Sequence, residues 1–395
     1  MSGWQGDVDE ALGALRSMAD GGASRPELLA AQFDLGLAWP RFAVGAGGLG
    51  VSAVDARIIR ERAVGAGVPS SPASFIGLHQ ASALIHDFGS EIQRRRYLRR
   101  IFTGEDQWCQ LFSEPGAGSD LANVGTRGRL EGDVWRFEGQ KVWTSTARHA
   151  THALLLARTD PTAPKHRGMT MFALEMRQPG VEVRPLRQMD GGARFSEVFL
   201  SEATARDGDR LGDSGAGWAM SMHILNVERD GASELFYRPV QEILDLARSR
   251  AGSAEMLRDD VVRLWIQGRL NSVSGQRGRI TKDREEKARI GGVAKIVASE
   301  QAQRHAELLA LLLGVEAVTG ADYDRAFEED TDPKSVGAKD FAALSPHRFI
   351  VRVRAMSIEG GTNEISRNIV GERVLGLPPD VRVDKGKPWQ DLVRS

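Results

Sequence analysis

The 395 residues include one cysteine, Cys109, so no intrachain disulfide and no cysteine-built metal centre can form, which fits a reducing compartment. Net charge is equally scarce. Fifty-two Lys and Arg stand against 53 Asp and Glu, and the balance of −1 gives no general affinity for nucleic acid or an anionic membrane. No stretch reaches the ~18 uninterrupted apolar residues of a membrane span. The opening MSGWQGDVDEALGALRSMADG lacks a basic region followed by an apolar run, so no secretory signal is expected and the cytoplasm is the expected location. No internal repeat is present. What remains, 41% hydrophobic and 27% charged, is an ordinary globular composition, and its length calls for two or three domains.

The stretch with most to say is 107–146, QWCQLFSEPGAGSDLANVGTRGRLEGDVWRFEGQKVWTST. The apolar Leu111 and Phe112 run into Ser113-Glu114-Pro115-Gly116-Ala117-Gly118-Ser119-Asp120, a strand end entering a glycine-rich loop. Gly116 and Gly118 are expected to turn through positive φ and to leave backbone N–H groups bare. Ser113 and Ser119 add hydroxyl donors suited to phosphate or ring oxygens. One short strand later, Trp143 followed by Thr144 and Ser145 offers an indole and two hydroxyls to a flat heteroaromatic ring.

On either side of this stretch the period is helical. Val8, Leu12, Leu15 and Ala19 share a helix face, with Asp7 expected as N-cap; Ser52 caps a second helix, Ser71-Pro72 opens a third ending near Gly89, and Ser90 with Gln93 opens a fourth. Arg94 to Arg96, Arg99 and Arg100 read as that helix's solvated face. From about residue 108 short apolar runs (152–157, 169–174, 181–183, 198–200) between Asp, Pro and Gly clusters indicate a β domain of sandwich or barrel type. After Gly217 helical spacing returns, in segments at about 260–273 and 293–313. Arg277 to Arg289 and residues 320–345 read as exposed loops. Long amphipathic helices bury their stripes against one another, which predicts a bundle.

Three segments in order resemble the acyl-CoA dehydrogenase flavoprotein family: Ser113 to Asp120, Trp143 to Ser145, and Gly360-Gly361-Thr362-Asn363-Glu364-Ile365-Ser366-Arg367. The resemblance implies an α+β multi-domain fold: N-terminal helical domain 1–107, central β-barrel or sandwich domain 108–216, C-terminal four-helix bundle 217–395. It implies FAD as cofactor and no metal. Leu111, Phe112, Ser113, Gly118, Ser119, Trp143, Thr144 and Ser145 match positions that hold the flavin, and Thr362 and Glu364 match positions near its adenosine half. Ser119, Asn226, Arg229, Gly360 and Gly361 match positions that face the substrate. A backbone N–H at one of these two glycines would be the oxyanion donor.

The family's reaction is α,β-desaturation of an acyl-CoA thioester, with electrons passing on to an electron-transfer flavoprotein. It needs a carboxylate poor in water, because desolvation raises its pKa toward working pH. Two glutamates compete. Glu359 precedes Gly360-Gly361-Thr362 but stands one residue too early for the position it would have to fill. Glu228, followed by Arg229, occupies the place used by members with glycine there. At about 100° per residue Glu228 lies about 80° from Trp218, bordering the stripe of Met222 and Leu225. An oxidase or monooxygenase on the same fold, and a non-catalytic partner subunit, remain open readings.

Two departures stand out. Where many homotetrameric members read Arg-x-x-Phe-Gly, this chain reads Arg248-Ser249-Arg250-Ala251-Gly252, and Leu311-Leu312-Leu313-Gly314 stands where a Gln-x-x-Gly-Gly-x-Gly stretch is usual. The contacts lent to a neighbour's flavin adenine are thereby reduced, which fits either a homo-oligomer with altered contacts or a heteromer with a related subunit.

Overall fold

The computed structural model describes residues 3–225, 238–250, 257–281, 284–319, 323–331, 344–379, 381 and 384–392. Five helices come first: α1 (Trp4–Asp20), α2 (Arg25–Asp34), α3 (Ala53–Gly65), α4 (Ser82–Phe88) and α5 (Glu91–Thr103). Ser52 Oγ accepts from Asp55 N (3.2 Å) and caps α3, and Ser90 and Gln93 exchange bonds in a capping box at α5. A second box, Ser24 with Glu27, opens α2. Two expected starts move. The first helix begins at Trp4, which places Asp7 inside the first turn, where the helix dipole favours it. The helix expected from Pro72 begins only at a π-helical turn, Ile76–Ala81. Pro72 is occupied elsewhere: its ring packs so tightly on Gly104 that a Cβ there would come within 2.4 Å, and Ser71 Oγ donates to Phe102 O (2.6 Å).

Eight strands follow: β1 (Trp108–Leu111), β2 (Arg127–Glu131), β3 (Val134–Ser145), β4 (His152–Arg158), β5 (Met169–Glu175), β6 (Val181–Leu186), β7 (Phe195–Arg206) and β8 (Arg210–Leu211). They form one mixed sheet in the order β6-β7-β3-β2-β4-β5-β8, with β1 parallel to β4 off this path. β4 and β5 are apolar at nearly every position because both faces are covered. Alternation splits them. Leu154, Leu156, Met169 and Met171 join Ile85, Leu98 and Ile101 in the core beneath the helices. Ala153, Leu155, Phe172 and Leu174 face Phe137, Val198 and Leu200 in a second core belonging to the sheet.

The chain then turns helical: α6 (residues 217–225), α7 (Gln241–Ser249), α8 (Arg258–Ile280), α9 (Arg284–Leu313), α10 (Tyr323–Thr331), α11 (Pro346–Arg352) and α12 (Asn363–Arg373). α9 is the hub, packing on α7, α8, α11 and α12. The charged stretch 277–289, expected as a loop, instead carries the end of α8 and the start of α9. Arg277 pairs with Glu286 across the hairpin, and farther along Arg304 pairs with Asp260 (2.6 Å). Within 320–345, Tyr323–Thr331 is likewise helical. Among the described residues no helix is long and apolar enough to cross a membrane.

Candidate active site

The two segments singled out between 107 and 146 lie side by side. Val142 N donates to Ser113 O (2.9 Å), which ties β3 to the strand end entering the loop. Behind that bond sits Lys141, whose side chain is fully buried. Its Nζ donates to Glu114 Oε1 (2.7 Å), Phe112 O (3.0 Å) and Leu156 O (2.8 Å). Thr126 N donates to the same Glu114 Oε1 (2.9 Å), and Gly125 N donates to Oε2 (2.7 Å). Burial would raise the Glu114 carboxyl, but Lys141 and these N–H donors outweigh it and hold the pKa below its ordinary value. For Lys141 burial outweighs the attraction of Glu114, and its pKa is pushed down.

The loop is packed behind and bare in front. Leu111 and Phe112 are buried, Ser113 is half-buried, and Gly116, Gly118, Ser119 and Asp120 are exposed. Neither Gly116 nor Gly118 has positive φ, contrary to expectation; a Cβ at either would meet nothing within 4 Å. The turn itself is closed by reciprocal bonds between Glu114 and Ala117 (3.1 and 3.0 Å). The glycines therefore serve close approach from outside and not backbone strain.

Strain appears instead at Trp143. It has φ of 60°, sits in the bulge of the β3–β7 ladder between Lys141 and Thr144, and is 61% exposed. A bulky residue in the left-handed region with its indole in the open is held there by its surroundings at a cost. Next to it Thr144 is buried, and its Oγ1 has no partner among the described residues. Ser145 is half-buried and pairs in register with Phe195. An open aromatic face, an unanswered hydroxyl and two glycines opening on free space together fit a flat, polar-edged ring system such as a flavin.

A third segment approaches from the bundle. Trp143 meets the edge of Phe195 (6.2 Å, 85°), and the Arg352 guanidinium lies over the same ring (5.5 Å). Arg352 Nη2 donates to Glu359 Oε2 (2.7 Å), while Glu359 Oε1 is buried without a partner among the described residues. Gly360 and Gly361 then take φ of 66° and 90°, conformations that demand glycine. Thr362 Oγ1 accepts from Ile365 N (3.1 Å) and caps α12; Glu364 is exposed in its first turn. Asn363 is buried, its Oδ1 accepting from Lys295 Nζ and Ser299 Oγ (2.9 Å each), which anchors the turn to α9.

A buried charge network fastens the loop after β6 to α10 and α11. Arg348 Nη2 donates to Asp330 Oδ2 (2.8 Å) and its Nε lies 3.5 Å from Asp190 Oδ2; Asp330 Oδ2 also accepts from Ala193 N (3.1 Å), and Arg194 pairs with Asp190. Burial pushes the Arg194 pKa down against these carboxylates. Glu228, Arg229 and Asn226 lie outside the described residues, as do Ala251 and Gly252.

Lys141, Glu114, Arg352 and the Asp190–Arg348–Asp330 network were not singled out from sequence. Lys141 had a signal: it shares strand parity with core residue Phe137, so a lysine was pointing inward. The others are joined across long sequence separations that leave no local pattern.

Models of all three acyl-CoA dehydrogenase domains match the chain: the N-terminal domain at residues 10–105, the middle domain at 109–203 and the C-terminal domain at 215–375. Over 363 residues it is 32% identical to "Acyl-CoA dehydrogenase IpdE1" of Mycolicibacterium smegmatis, covering 88% of this chain and 86% of that protein. The chain belongs to the acyl-CoA dehydrogenase family. IpdE1 of Mycobacterium tuberculosis is 34% identical over 300 residues, 75% of this chain and 73% of that one. Among solved structures, the ChsE4-ChsE5 complex from M. tuberculosis has a chain with a TM-score of 0.68 at 25% identity, covering 96% of this chain and 99% of its own. As an acyl-CoA dehydrogenase, the protein is an oxidoreductase acting on acyl-CoA. The order of helical, β and helical parts is the one expected.

Proposed function

We propose that this protein is a FAD-dependent dehydrogenase that desaturates an acyl-CoA thioester between its α and β carbons, with domains at 1–107, 108–216 and 217–395. The observation that carries the reading is the strained, open Trp143 next to the buried Thr144 hydroxyl, which has no partner among the described residues, on a strand tied at Val142 to the start of a loop whose Gly116 and Gly118 open on free space. FAD, when bound, supplies the acceptor for the β-hydrogen. Leu111, Phe112, Ser113, Gly118, Ser119, Trp143, Thr144 and Ser145 would hold its ring and pyrophosphate, and Thr362 and Glu364 would lie near its adenosine half.

Glu228 is the proposed base, taking the α-proton. Glu359 is disfavoured by its register, one residue ahead of the position it would have to fill, and by Arg352, which already holds its Oε2 (2.7 Å). A backbone N–H at Gly360 or Gly361 would stabilise the developing enolate oxygen. Ser119, Asn226 and Arg229 would contact the substrate. Electrons would leave to an electron-transfer flavoprotein.

A heteromer with a related subunit is the assembly favoured here, on Ala251 standing where an adenine would need an aromatic surface. The test is an absorbance spectrum of the purified chain, alone and with a co-expressed related neighbour, then anaerobic bleaching with a panel of acyl-CoA thioesters. Wild type and Glu359→Gln should bleach, and Glu228→Gln should not. Bleaching by Glu228→Gln at the wild-type rate would remove Glu228 from its role.

A further inference from the structure

The segment after α12 returns to the β domain and reaches the back of the glycine loop. Trp389 N donates to Ala163 O and Gln390 N to Pro161 O (3.0 Å each), and Pro388 bridges to Pro164. These bonds seat the Trp389 indole, 6% exposed, beneath the descending limb of the loop. Its Nε1 donates to Asn123 Oδ1 (3.0 Å), and its ring lies 3.7 Å from where a Cβ on Gly125 would stand.

On the indole rests the guanidinium of Arg158, 4.7 Å from the ring centroid and itself only 2% exposed. Arg158 donates to Ala122 O (2.6 Å), Val124 O (3.3 Å) and Lys165 O (2.7 Å). Lys165 in turn joins Asp120 (3.0 Å), the last residue of the loop, to Asp384 of the returning segment. The limb 120–125 is thus gripped at Asp120, Ala122, Asn123, Val124 and Gly125, while Gly116, Gly118 and Ser119 stay open.

We propose that Trp389 is a positioning residue: residues 384–392 form a strap that, through Arg158 and Lys165, sets the limb 120–125 and so aims Gly118 and Ser119 at their ligand. The proposal rests on the reading of this loop as a flavin site. An immobilised loop meets its ligand without first being ordered, which is where a strap contributes affinity.

The test compares Trp389→Ala and Trp389→Phe with wild type, full-length and stripped of flavin. Amide exchange of residues 113–126 is followed in the flavin-free chain, and FAD affinity is measured by fluorescence titration, with the related subunit present if uptake requires it. Trp389→Ala should raise exchange at 120–126 and weaken FAD binding about tenfold. Trp389→Phe, keeping the ring beneath Arg158, should recover part of both. Unchanged exchange and unchanged affinity in Trp389→Ala overturn the proposal, as does a loss of melting temperature with no selective change in the loop. If Trp389→Ala does not fold, Asp384→Ala decides: raised exchange at 120–126 sustains the strap and unchanged exchange overturns it. A wild-type chain that takes up no flavin in any form overturns the reading of the loop, whereas equal flavin binding by wild type and Trp389→Ala overturns only the strap.

Discussion

Lys141–Glu114 and Arg238–Glu242 are both buried ion pairs, but they join different things. The first spans 27 residues, and every partner it touches belongs to a segment that frames the candidate site or packs behind it. The second lies within the bundle: Arg238 grips Glu242 and donates to Leu344 O (2.8 Å), and His305 Nε2 approaches Glu242 Oε2 (3.3 Å) from α9. Burial would raise the Glu242 carboxyl, but the His305 and Arg238 hydrogen bonds and charges outweigh it and hold the pKa at about 2. The same chemistry thus serves site geometry in one region and helix assembly in the other. Location decides which measurement notices its loss.

The largest effect is expected at Lys141. Lys141→Met strands the Glu114 carboxylate in the interior, so urea unfolding should show a loss of about 3–5 kcal/mol, with flavin uptake falling alongside. Adding Glu114→Gln should return part of it. A loss below about 1 kcal/mol would mean that the pair does not tie loop to strand.

Glu242 should break the bundle without touching the site. Its folded carboxyl, at about 2, lies below the 4.5 of a free one, so the unfolded chain takes up the proton first as pH falls. The stabilisation is therefore whole above about pH 4.5 and disappears between there and about pH 2. Glu242→Gln should cost about 1–3 kcal/mol at neutral pH and flatten that acid limb, with flavin affinity unchanged. An acid limb as steep as wild type would clear Glu242 of the role.

Trp143 sharpens the contrast from the other end. Trp143→Gly removes an exposed indole and relieves positive φ, so the flavin-free chain should be unchanged or up to about 1 kcal/mol more stable, while flavin binding weakens. A clear loss of flavin-free stability would show the indole to be packing and not a ligand surface.

What the sequence made legible was local. Ser52 and Ser90 were readable as caps because a cap acts within three residues, and the loop and Trp143 stood out because their residue types suit a flat, polar-edged ligand. The failures were tertiary. Ser71-Pro72 reads as a helix start until Phe102 and Gly104 occupy it, and charges near 277–289 read as a loop until Arg277 meets Glu286 across the hairpin. Trp389 meets Asn123 across 266 residues, a distance over which no spacing rule operates. Of the proposed substrate-facing residues, the structure describes Ser119, Gly360 and Gly361.

Strand β4 has a further consequence. Leu154 and Leu156 belong to the core beneath the N-terminal helices, whereas Ala153, Leu155 and Ala157 belong to the core of the sheet. Neither core can dissolve without exposing a strand that the other needs, so helices α2, α4 and α5 and the sheet should melt as one cooperative unit, although family models divide them near residue 107, while α1 and α3 pack in a cluster of their own. The boundary visible in evolution should not reappear as a boundary in melting.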